Sequence, residues 1–221
     1  MDHGGPVKFG FPQGVEEVRR VSELPTMAVD LGFAKKRKSC GLAWQISDDE
    51  PSTSRATFGQ CIDKVADFLK EKSTSVLIVE APLSSLFDSA GNPKPRMPFE
   101  EAQIDGTVHR RYWYVGAGGA IGLGAIFFFS RLSELTMQAS GTVHVIEGFV
   151  SFKTQRSDDV EDALALLKEF RNPAEAKLCQ IEPNDPEGRA INMLGVSHVV
   201  SPEEPCPMVI VTTVEGLDQE S

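Results

Sequence analysis

Cysteine is scarce in this chain of 221 residues: Cys40, Cys61, Cys179 and Cys206 stand far apart, with no C-x-x-C pair among them. Neither a disulfide scaffold nor a zinc ribbon is built from such spacing, and a reducing cytoplasm is the setting it suits. Histidine is also sparse, and His109, His144 and His198 have no sequence neighbours that suggest a catalytic triad or a zinc site. The first 20 residues contain no continuous apolar stretch of the kind a secretory signal needs. Phosphate-binding glycine loops are missing as well. After Gly116 and Gly118 the third dinucleotide glycine would fall on Ile121, and after Gly119 and Gly124 the P-loop lysine would fall on Ala125.

Net positive charge is lacking too, since 22 basic and 32 acidic residues give −10. A nucleic-acid binder usually carries a basic footprint, so this total counts against an extended one. The excess is nevertheless local: residues 1–156 hold 18 acids and 18 bases, whereas residues 157–221 hold 14 acids and 4 bases. Two clusters in the neutral part can form a basic surface. One is Lys35-Lys36-Arg37-Lys38; the other is His109-Arg110-Arg111 followed by Tyr112-Trp113-Tyr114, where cations adjoin rings able to stack on bases. With 41% hydrophobic residues the chain has enough apolar material for a core, and its length fits one domain or one domain with a large insertion.

The pattern along the chain predicts an α/β fold. Residues 1–25, interrupted by glycine and proline, read as an irregular arm with at most a short helix near Val15–Val21. Thr26–Leu31 and Gly41–Ile46 read as antiparallel strands around the basic turn, with a third strand near Arg55–Phe58. Ile62, Val65, Ala66 and Leu69 give an amphipathic helix between Gly59 and Lys72, and the apolar run Ser75–Val79 reads as a strand buried on both faces. An inserted loop, 82–115, opens with four prolines between Pro82 and Thr107 and has the length of a lid or binding segment. A strand at Thr142–Ile146 and a strong helix at Asp158–Phe170 follow. Residues 171–221 form an acidic C-terminal extension packed on the domain, with a late strand at Met208–Thr212.

Tyr112 to Ser130 is a stretch of 19 uncharged residues, close to the length of a membrane span. Five of them are glycine, which favours a buried core helix over a span, so no membrane association is expected. Gly118 and Gly122, four apart, allow close approach of neighbouring backbone, either within one subunit or across a homodimer.

Acids close three apolar strands: Asp30, Glu80 and Glu147. A carboxylate at such a position is costly unless it is solvated, paired or bound to a cation. In open α/β sheets, sites gather outside the carboxyl ends of the strands, so the three are expected to converge on one crevice. The last helix adds Asp159 and Asp162, on the same side as Ala163, Leu166 and Phe170. Capping explains Asp158 and Glu161, but not Asp162, which extends the apolar stripe. Carboxylates crowded together call for a hard divalent cation, and oxygen-only ligands favour Mg²⁺ or Mn²⁺ over zinc.

Met27-Ala28-Val29-Asp30-Leu31-Gly32 followed by Ser39-Cys40-Gly41-Leu42-Ala43 resembles the opening hairpin of the RNase H-like superfamily, whose first-strand Asp binds metal. Ile78-Val79-Glu80 is similar to the fourth-strand acid of its RuvC-type resolvases, and Asp159-Val160-Glu161-Asp162-Ala163-Leu164-Ala165 resembles their closing D-x-x-D-A-L-A helix. The match covers roughly residues 26–170. It implies an RNase H-like mixed β-sheet, an antiparallel three-strand meander plus parallel strands, flanked by helices. It also implies that Asp30, Glu80, Asp159 and Asp162 hold two Mg²⁺ or Mn²⁺ ions for phosphodiester hydrolysis, with Lys153 or His144 assisting the phosphate. Lys35, Lys36, Arg37, Lys38, Arg110, Arg111 and Trp113 would then meet DNA or RNA. The acidic total, the proline-rich loop and Ala81-Pro82-Leu83 after Glu80 depart from a typical resolvase and resemble uncharacterised RNase H-like families more closely. Two other readings of the same residues are a non-catalytic RNase H-like binding module and a nucleotide-binding phosphotransferase of the actin-like branch, whose first phosphate loop Asp30-Leu31-Gly32 also resembles.

Overall fold

The computed structural model of the chain describes residues 6–33, 37–96, 99–104, 106–150, 158–183 and 186–212. In chain order its elements are β1 (Lys8–Gly10), α1 (Gly14–Val21), β2 (Thr26–Asp30), β3 (Cys40–Gln45), β4 (Ser52–Ala56), α2 (Phe58–Glu71), β5 (Thr74–Glu80), β6 (Ser84–Phe87), β7 (Pro93–Lys94), β8 (Glu101–Ile104), β9 (Thr107–Arg110), α3 (Ala117–Leu135), β10 (Thr142–Val150), α4 (Asp159–Arg171), β11 (Lys177–Cys179), β12 (Arg189–Asn192), α5 (Met193–Val196) and β13 (Val209–Thr212). The fold is α/β, with a mixed sheet of parallel and antiparallel strands flanked by helices.

The main sheet has eight strands. Seven run in the order β11-β13-β10-β5-β2-β3-β4, and β1 joins β10. Strands β2, β5, β10, β13 and β1 are mutually parallel, β3 and β4 continue from β2 as an antiparallel meander, and β11 is antiparallel to β13. The apolar run of β5 is buried along its length because strands lie on both edges and helices on both faces. Strand periodicity sorts the two cores. Met27, Val29, Leu77 and Val79 face α2 and α3, where Val65, Leu69, Phe128 and Phe129 are buried. Ala28, Ile78 and Ile146 face α1 and α4, against Val18, Leu166 and Phe170.

Several expectations shift. Residues 8–10 are not irregular: they pair with Thr142–His144 on β10, and α1 buries Val18 and Val21 in the second core. The third meander strand lies earlier than Arg55–Phe58, because Thr57 caps α2 with a reciprocal capping box to Gln60 and so begins the helix there. The segment 82–115 is not a bare loop. It holds β6 and β7, which join β12 in a three-stranded sheet, and the separate β8–β9 hairpin. The region after 171 does more than pack on the domain, since β13 inserts between β11 and β10 with all four residues buried. The uncharged run becomes α3, with Ala125, Phe128, Phe129 and Leu132 fully buried. No helix among the described residues is long and apolar enough to cross a membrane.

Candidate metal centre

Asp30 and Glu80 are the last residues of adjacent parallel strands and are direct partners in register. They therefore project to the same face, the one covered by α4. The neighbouring register positions are Gly41 on β3, beside Asp30, and Gly148 on β10, beside Glu80. These glycines let the helix down onto the acids. A Cβ on Gly41 would lie 1.8 Å from the Asp159 carbonyl oxygen, and one on Gly148 would lie 2.7 Å from Leu166 Cδ1. The descent places Asp162, fully buried, against the strand ends. Asp30, Glu80 and Asp162 bring carboxylate oxygens within 4.8 Å of one another.

The start of α4 separates its acids by role. Asp158 accepts from the Val160 amide at 3.0 Å, and Glu161 accepts from the Asp158 amide at 3.3 Å, forming a capping box. Arg55 also pairs with Asp158. Capping therefore consumes Asp158 and Glu161, as the sequence pattern predicts, while Asp162 meets the strand-end acids and Asp159 lines the cleft that they share.

That cleft, about 510 Å³, opens beyond the carboxyl ends of β2 and β5. Asp30, Glu80 and Asp159 border one side; Arg96, Arg110, Arg111, Tyr112 and Trp113 border another; Ala117, Gly118 and Ile121 from the first turns of α3 close a third. Arg111 donates to the Val150 carbonyl at 3.0 Å and lies 5.3 Å over the Phe149 ring, so its guanidinium is fixed at the end of β10. Arg110 is paired with Glu101 at 2.6 Å, which holds the β8–β9 hairpin together and raises the guanidinium pKa. Trp113 donates from Nε1 to the Lys94 carbonyl at 3.1 Å.

Glu147 does not join the strand-end acids. β10 continues through it to Val150, and it lies one residue out of register with Glu80, so it points to the opposite face. There it accepts from the Leu83 amide at 3.1 Å and the Ser84 hydroxyl at 2.8 Å, and it pairs with Arg96. Arg96 also pairs with Glu100 at 2.7 Å. Burial pushes the Glu147 carboxyl above its usual range, against the pull of Arg96. Burial also opposes charge on Arg96, but Glu147 and Glu100 outweigh it and raise that guanidinium. This buried network fastens the inserted segment to β10 and so fixes one wall of the cleft. Arg96 and Glu100 are the residues sequence reasoning missed; in a proline-rich stretch only their i, i+4 spacing marks them.

His144 stands four positions before Gly148 on β10, paired with Gly10 and Val76 in register, and does not line the cleft. Burial lowers its pKa, and Glu17 and Arg20 of α1 act on it. It therefore has no place beside a phosphate in the cleft. Arg37 and Lys38 are exposed on the turn that follows β2, whereas Lys35, Lys36 and Lys153 lie outside the described residues.

The donor set fits a hard cation. It is three carboxylates with no nitrogen or sulfur, spread over a distance that one ion can bridge with ligands about 2.0–2.6 Å away, given small side-chain adjustments. Two glycines keep the helix close enough to complete it. Comparison with protein-family profiles, curated proteins and solved structures finds no match.

Proposed function

We propose that the protein is a divalent-metal-dependent nuclease with an RNase H-like fold. The observation that carries this reading is the meeting of Asp30, Glu80 and Asp162 within 4.8 Å at the carboxyl ends of two parallel strands. The antiparallel meander, the parallel strands beyond it and the closing acidic helix support the fold assignment that the sequence resemblance implies. Asp30, Glu80 and Asp162 would hold Mg²⁺ or Mn²⁺, with Asp159 at the edge of the same cleft. An ion held there would supply an activated water and offset the charge that develops on the departing oxygen of a phosphodiester. The residues of the chain do the rest. Register turns Asp30 and Glu80 to the face that α4 covers, where both line the cleft, and Arg111, held by Val150 and Phe149, presents positive charge to a phosphate there.

The test is Mn²⁺ titration into wild type and an Asp30→Asn/Asp162→Asn variant, with thermal unfolding and cleavage of labelled DNA and RNA followed in the same samples. Wild type is expected to bind Mn²⁺, unfold at higher temperature with it, and cleave. The variant is expected to lose all three responses, and its metal-free form to gain about 1 kcal/mol of stability as like charges are removed. Wild type that binds no Mn²⁺ rules the reading out.

A further inference from the structure

Resting on the nuclease reading, we infer that the strand drawn into this cleft is single-stranded nucleic acid, with an unpaired base on the Tyr112–Trp113 wall and its phosphate between Arg111 and the carboxylates. Three observations meet here. The cleft is about 510 Å³, within the range of sites that enclose a small ligand, and inserted wall and α3 border it on two sides. A cleft of that volume holds a nucleotide or two, a size that a flexible strand fills by turning a base inward.

The wall is built for a base face. Tyr112 and Trp113 line it half-buried, and Trp113 is held by its bond to the Lys94 carbonyl at 3.1 Å. The rings of Phe87 and Tyr114 meet Trp113 at 74° and 79°, so neither stacks flat on it. Stacking of bases on aromatic rings is the sequence-tolerant contact of single-strand binders, and a duplex keeps its base faces covered by its own neighbours.

The charge distribution agrees with a short contact. The cleft offers Arg111 at its rim, Arg110 being paired with Glu101, and the chain as a whole carries −10. Long tracking of a duplex backbone needs many phosphate contacts, which this balance does not supply, whereas a few local contacts serve a single strand.

The experiment uses the full chain with Asp162→Asn to stop hydrolysis. Anisotropy of a labelled ten-nucleotide thymidine strand is compared with a blunt duplex of equal length and with competing free thymidine monophosphate. In a Trp44→Phe background Trp113 is the sole tryptophan, and its fluorescence reports stacking. The strand is expected to bind at least ten-fold more tightly than duplex or monophosphate and to quench Trp113. Trp113→Ala should weaken the strand about ten-fold, while Trp113→Phe stays within about three-fold, since the ring is what stacks. Duplex binding as tight as the strand, monophosphate binding as tight as the strand, or unchanged binding in Trp113→Ala overturns the inference. Mn²⁺ binding and cleavage without strand preference sinks this inference and leaves the nuclease reading standing; strand preference without Mn²⁺ binding does the reverse.

Discussion

At the scale of single residues, glycine decides as much as the acids do. Gly41 and Gly148 flank Asp30 and Glu80 across the sheet, and the backbone of α4 occupies the space a side chain would need at Gly41. Gly41→Ala would push a Cβ into the Asp159 carbonyl at 1.8 Å, where only backbone movement gives relief. The expected cost is about 3 kcal/mol, at the upper end for overpacking, because the obstacle is main chain. Urea unfolding measures it, and Mn²⁺ affinity should fall in the same variant as Asp162 is lifted from the strand ends. A change confined to stability, with affinity intact, would show that the helix shifts without carrying Asp162.

Among elements, the inserted segment holds its place through charge in a dry setting. Arg96 is 2% exposed and satisfies two carboxylates that are themselves buried, Glu100 and Glu147. Arg96→Met would strand both, at a cost of about 3–5 kcal/mol in urea unfolding, and Arg96→Lys, which keeps the charge but not the forked geometry, should fall between. A smaller device sits at the far end of the same segment. Asp88 closes the turn between β6 and β7 by accepting from the Asn92 amide at 2.8 Å and pairing with Lys94 at 3.0 Å. The Asn92 amide first, and then Lys94, lower its carboxyl to about 2 from an ordinary value of 3.8. A depressed folded-state pKa stabilises above the unfolded value and is lost as the group protonates. The turn's contribution should therefore be complete above pH 4 and vanish as pH falls through about 2, which carboxyl chemical shifts of Asp88 would follow directly.

At the scale of the whole molecule, the main sheet joins early and late segments of the described residues on one strand. β10 is shared on one edge by β1, over Thr142–His144, and by β13, over Glu147–Val150. Segments more than 190 residues apart in sequence thus complete one strand's hydrogen bonding. A chain ending at Pro205 loses β13, exposes the edge of β10 at the end that carries Gly148 and Val150, and uncovers Ile146, Val150 and Phe170 of the second core. It is expected to lose cooperative thermal unfolding by circular dichroism, with no separable domain surviving over 26–170. Cooperative unfolding retained by that truncation would restore the C-terminal region to the status of an appendage.

Local pattern determined much of this protein. The helices over 58–71 and 159–171 and the strands over 26–30 and 74–80 follow from periodicity and caps, because those signals come from neighbours in sequence. Asp30, Glu80 and Asp162 were legible as acids where apolar residues should stand. Glu147 carried the same signal and went elsewhere, since a single step of register sends a strand residue to the other face, and register is fixed only when strands pair. Within the arm expected at 1–25 the short helix near Val15–Val21 is present as α1, but residues 8–10 differ for the same reason: β1 has no pattern of its own and becomes a strand by meeting β10. Tertiary structure alone gave Arg96 its role, converted the 82–115 insertion into a cleft wall, and made Gly41 and Gly148 part of the site. Each of these depends on what a distant segment brings alongside, and contacts across that distance in sequence leave no local periodicity to read.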